Sequence, residues 1–120
     1  MTPDTLALAR AIGTLPGAPT WKYDSVNVVI DYDRADGSTG RRSANGLGWV
    51  RDPDDGRYVL DLEDAGTGGV LLARAAGLVG TVEITSDTYY LRRDTNAPVI
   101  GDGPTLGIAL ARLIIARGGF

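Results

Sequence analysis

Residues 34–46, RADGSTGRRSANG, bring together three glycines, three small hydroxyl side chains and the adjacent pair Arg41 and Arg42. Residues of these types can hold phosphate. A nucleotide loop rings the anion with backbone N–H groups ahead of a helix and requires G-x-x-x-x-G-K-[ST]. Here Gly37 and Gly40 are only three apart, arginines stand where one lysine should, and the following residues read as a strand. The nucleotide reading therefore fails on spacing and on context. What is left is a long hairpin connection with a basic tip, in which Arg41 and Arg42 can make bidentate contacts to phosphate or to an acidic protein surface. A solvated hairpin loop explains the same composition. A second basic pair, Arg92 and Arg93, follows Tyr89-Tyr90. Bases stacked on tyrosine beside arginine are one way a sheet face binds nucleic acid. The ring-plus-basic spacing of the RRM consensus is absent, however, and alternate aromatics in a strand more often belong to a core.

The carboxylates form the other constellation. Asp31 and Asp33 share a strand face, and Asp61 and Glu63 fall on a strand that can present them to the same side, with Glu83 further off. Four carboxylates on one surface suit Mg²⁺ and phosphoester hydrolysis. The same spacing is expected of the polar half of any period-two strand, paired across to Arg51 and Arg57, and that plainer reading is preferred.

Composition narrows the chemistry further. The chain has no cysteine and no histidine, which excludes disulfides, thiolate nucleophiles, imidazole acid/base pairs and zinc sites built from its own residues. No cofactor and no metal site is expected. The net charge of −3 lacks the basic balance of a typical nucleic-acid binder. Thirteen of the fifteen acids are Asp, and Lys22 is the sole lysine among twelve bases. This bias, with abundant Ala, Gly and Val, is what GC-rich codons produce, and it points to a high-GC bacterium or its phage. Asp4 and Arg10 make the N-terminus unlike a signal peptide, and no segment approaches the ~20 apolar residues of a membrane span. A cytoplasmic protein without membrane contact is expected.

The elements that must position these residues follow from pattern. Thr2-Pro3 reads as an N-cap with proline at the first helical position, opening a short helix that ends near Gly13. Val26, Val28, Ile30 and Tyr32 alternate with polar residues as a half-buried strand. LGWVR (47–51) and RYVLDLE (57–63) read as two more strands with Trp49, Tyr58, Leu60 and Leu62 inward, joined by the DPDDG turn. A second helix is expected from Gly68 to Gly77, started by Thr67, and VEITSDTYYLRR reads as a hairpin turning at Ser86-Asp87. The expected order is α-β-β-β-α-β-β-α over a single domain, residues 1–120. This is an α+β fold with an antiparallel sheet of about five strands and three helices.

The last helix is the clearest element. Between Gly103-Pro104 and Gly118 the run LGIALARLIIAR is apolar on nearly every side. Such a helix must be enclosed by a larger core or by a second chain. In a chain this small, self-association into a homodimer through Leu106, Leu110, Leu113 and Ile114 is expected. The helix, the two aromatic-bearing strands VEITSDTYYLRR, the proline and LGIALARLIIA together resemble the phage ABA sandwich domain family over residues 68–117. That resemblance implies layered α/β/α packing and no defined catalytic residues. The functional expectation is a small non-enzymatic accessory protein of a phage or high-GC bacterium that binds a host protein. The alternatives are a nucleic-acid-binding module using Arg41, Arg42, Arg92 and Arg93, and a Mg²⁺-dependent phosphoesterase using Asp31, Asp33 and Asp61.

Overall fold

A computed structural model describes residues 2–23 and 28–120. Among the described residues, three helices and two antiparallel sheets make an α+β fold in the expected order of helices and strand groups. The first helix, α1 (Pro3–Gly13), begins as its sequence dictates, with the Thr2 side chain accepting from the Thr5 N–H at 3.2 Å and proline at the first position. Four strands follow: β1 (Val29–Asp33), β2 (Thr39–Ser43), β3 (Gly48–Arg51) and β4 (Tyr58–Leu60), paired in the order β1-β2-β3-β4. After α2 (Ala65–Arg74) come β5 (Thr81–Ile84), β6 (Tyr89–Arg92) and β7 (Val99–Gly103), a second sheet in the order β5-β6-β7, and then α3 (Leu106–Arg117).

Each strand group has one more strand than the sequence reading gave. The first is β2, which occupies the middle of the glycine-rich stretch read as a loop. Gly37 takes φ +85° in the tight turn after β1 and Gly46 takes φ +85° in the turn before β3, so the glycines bracket a strand. The second is β7, whose VIGDG carries too little alternation to announce itself. The start of α2 also moves. Asp64 is its N-cap, accepting from the Thr67 N–H at 2.9 Å, while Thr67 is fully buried and takes a 2.7 Å hydrogen bond from the Gly48 N–H.

The apolar helix α3 is covered by the chain itself. It packs against α1, α2, β6 and β7, and Leu110 is 0 % and Ile114 2 % exposed. Leu106 and Leu113 are half-buried against the same core. Of the two covers expected for this helix, a larger core or a second chain, the first is supplied by two strands of the second sheet and two helices. Glycine permits the closest approach. A Cβ on Gly107 would lie 2.3 Å from the Leu62 carbonyl oxygen, and Thr105 Oγ1 holds that same oxygen at 2.7 Å. The helix stops at Gly118, which takes φ +88° as a left-handed cap.

The expected inward residues Trp49, Leu60 and Leu62 are buried, and Tyr58 is half-buried. The apolar face assigned to β1 behaves differently: only Tyr32 tucks in, while Val28 and Ile30 are 64 % and 59 % exposed. Val26, placed on the same face by the pattern, lies outside the described residues. No helix among the described residues is long and apolar enough to cross a membrane.

Candidate functional site

Two concave features sit on the four-stranded half of the molecule. The first is an aromatic cleft of about 560 Å³ between the segment following α1 and the β3–β4 hairpin. Its wall is a ring stack. Trp21 lies over Tyr58 with centroids 4.2 Å apart and planes at 23°, and Tyr23 continues the stack at 6.3 Å. Trp49 forms the buried floor, and Pro19 and Thr20 close one side. The Trp21 Nε1–H is enclosed without a hydrogen-bond partner among the described residues. An enclosed donor left unpaired costs about 1–3 kcal/mol, a cost that the packing of this wall carries.

The cleft is framed by a charge clamp. Arg10 on α1 donates to both carboxylate oxygens of Asp52, at 2.6 and 2.7 Å, and to Asp54 at 2.5 Å. Asp52 is 2 % exposed, and the Arg10 hydrogen bonds, supported by the Asp54 backbone N–H, hold its carboxyl down at about 2. This bidentate pair locks α1 to the β3–β4 turn, where Gly56 takes φ +73° as the DPDDG pattern requires.

The second feature is a groove of about 720 Å³ over β1, β2 and the start of α2, lined by Tyr32, Arg34, Arg42, Asp61, Glu63 and Asp64 among others. These charged groups are paired with one another, although the buried Arg42 Nε has no partner among the described residues. Tyr32 donates its hydroxyl to Asp61, which is fully buried, and Arg34 bonds Glu63 and reaches Asp61 at 3.4 Å. Arg42 pairs with Asp64, the α2 N-cap, with its guanidinium 5.9 Å from the Tyr32 ring centre. Burial first, then the Asp61 hydrogen bond and charge, push the Tyr32 phenol far above its ordinary range, so it stays protonated. Gly40 and Gly48 are required here, since a Cβ on either would lie within 2.7 Å of the Tyr32 ring or hydroxyl.

The structure separates the sequence-predicted site residues. Arg41 and Arg42 are neighbours in β2, so they point to opposite faces. Arg41 pairs with Asp31 at 3.1 Å, and Arg42 with Asp64. Arg92, on the other sheet, is 3.5 Å from Glu83 and donates to the Ala97 carbonyl at 2.8 Å, while Arg93 is exposed just beyond β6. The two basic pairs thus belong to different sheets, and three of the four charges are answered internally. The phosphoesterase carboxylates do not converge either. Asp31 faces Arg41, and although Asp33 and Asp61 both line the groove, Asp61 is buried and accepts from the Tyr32 hydroxyl while Asp33 is exposed. No group of three or more acids among the described residues could hold a metal ion.

Sequence reasoning missed the aromatic cleft. Trp21 and Tyr23 lie in a stretch with no periodicity, between the first helix and the first expected strand. The usable signal was compositional: two large aromatics placed just after a proline-rich turn need a surface to cover, and Tyr58 supplies it. Comparison with protein-family models, with curated proteins and with solved structures finds no match to this chain.

Proposed function

We propose that this is a small non-enzymatic accessory protein of a phage or high-GC bacterium, that it works by binding a host protein, and that the aromatic cleft is where the partner docks. The observation that carries this reading is the stacked Trp21–Tyr58 wall of a cleft of about 560 Å³. A flat aromatic wall suits a peptide segment that lays an apolar or proline side chain on the rings. The disposition of charge agrees. The arginines that a nucleic-acid reading requires are largely spent on internal carboxylates, as are the acids that a hydrolytic reading requires.

The test is capture of partner from nuclease-treated host lysate by the wild-type chain and by Tyr58→Ala and Trp21→Phe. A stoichiometric protein that survives nuclease, is lost with Tyr58→Ala and is weakened with Trp21→Phe supports the reading. Material that disappears with nuclease, or that binds all three chains equally, refutes it.

A further inference from the structure

We infer that the free edge of β1 accepts an extended segment of another protein, and that the segment alternates apolar with basic residues. This surface lies apart from the aromatic cleft and shares no residue with it.

The direction of the backbone follows from register. Arg34 N–H donates to the Ser38 carbonyl at the β1–β2 turn, and Tyr32 and Ile30 stand opposite Gly40 and Arg42. Hydrogen-bonded pairs alternate in an antiparallel ladder, so Tyr32 and Ile30 bond to β2 while Val29, Asp31 and Asp33 turn their N–H and C=O groups outward. The far side of β2 confirms the phase, since Ser43 N–H bonds the Leu47 carbonyl and Arg41 faces Trp49 on β3. β1 is a sheet edge, and an edge with outward backbone groups is a template for another strand.

Its side chains state what that strand must carry. On one face Val28 and Ile30 are 64 % and 59 % exposed, a large apolar area for a monomer surface strand. On the other face Asp31 and Asp33 are exposed. Asp31 shares its charge with Arg41, and Asp33 makes no ion pair among the described residues. Directly opposed residues in an antiparallel pair lie on the same face, so a docked strand sets apolar residues beside Val28 and Ile30 and Lys or Arg beside Asp31 and Asp33. A second copy of this chain does not fit. The edge strands VIDYD, YVL, TVEI and VIGDG contain no basic residue, and two β1 strands would bring aspartates together. The occupant is therefore a different protein.

The experiment uses the full isotope-labelled chain and three synthetic peptides: alternating Lys-Val, alternating Glu-Val and alternating Lys-Ser. Amide hydrogen exchange is followed residue by residue. The Lys-Val peptide is expected to slow exchange at Val29, Asp31 and Asp33, with Ile30 and Tyr32 little changed, and to bind about tenfold more tightly than Glu-Val, since like charges opposed across a strand pair are destabilising. Lys-Ser is expected to give no protection. Asp33→Lys, a change on an exposed side chain, should shrink the preference, and Asp31→Lys with Asp33→Lys should reverse it. Absence of protection by Lys-Val, protection confined to other amides, or equal binding of Lys-Val and Glu-Val by the wild-type chain overturns the inference.

Discussion

Replacing Gly107 by alanine tests the seating of α3 more sharply than truncating any large core residue. Two opposing terms decide the outcome. Alanine improves the helix by about 1 kcal/mol relative to glycine in a helix interior. Against that, the new Cβ would stand 2.3 Å from the Leu62 carbonyl oxygen, 2.9 Å from its carbon and 3.0 Å from its Cα, all of them backbone atoms. The Leu62 carbonyl cannot simply swing away, because it accepts from Thr105 Oγ1, the cap of the same helix. Relief requires α3 to lift from the loop, and overpacking of this kind costs about 1–3 kcal/mol, with backbone contact placing it at the upper end. The net loss is about 2 kcal/mol, which for a domain of this size lowers Tm by about 8 °C. Gly69 is the control. It is an exposed glycine inside α2 with nothing within 4 Å of its would-be Cβ. Gly69→Ala should therefore raise Tm by about 2–4 °C through propensity alone. Thermal unfolding followed by circular dichroism reads both. If Gly107→Ala stabilises the chain as Gly69→Ala does, α3 is not docked on Leu62 and the packing argument fails.

Other consequences are read with the same instrument. Tyr32→Phe removes a hydroxyl donor from buried Asp61 and should cost about 1–3 kcal/mol, seen as a lower Tm at neutral pH. The Asp52 carboxyl sits at about 2 when folded, below the ~3.9 of an unfolded chain, so its contribution is complete above about pH 4 and disappears as pH falls to about 2. Asp52→Asn should accordingly lower Tm at pH 6 and flatten the acid limb between pH 4 and 2. A wild-type Tm that does not change over that window would contradict the Arg10 clamp. Leu110→Ala, at a fully buried position, should cost about 2–5 kcal/mol. Because α3 is enclosed by its own chain, that loss should be the same at low and high protein concentration, whereas a helix buried between chains would give a concentration-dependent Tm.

Legibility in the sequence tracked how local the determining physics is. Thr2-Pro3, the DPDDG turn and Gly118 are caps and turns whose chemistry acts within a few residues, and each formed as read. The glycines of residues 34–46 were misjudged because glycine marks a turn without saying how many residues lie between two turns, and β2 fits between Gly37 and Gly46. The α2 start moved from Thr67 to Asp64 because Thr67 serves the Gly48 backbone instead, a tertiary contact invisible in a window of sequence. The all-apolar α3 was legible as an element, but its cover of α1, α2, β6 and β7 was not, since periodicity reports that a face is buried and not by what. The aromatic cleft depends on Trp21 meeting Tyr58 across 37 positions of chain, and no spacing rule reports such a pair.

The central claim, that a protein partner occupies the aromatic cleft, is tested most directly by site-specific photo-crosslinking. A benzophenone amino acid is placed at Thr20, exposed on the cleft rim, and separately at Asp87, exposed at the tip of the β5–β6 turn. Both chains are irradiated in nuclease-treated host lysate. A discrete protein adduct from position 20, absent from position 87 and abolished by Tyr58→Ala, is the predicted result. No adduct at position 20, or the same adducts at both positions, would contradict it.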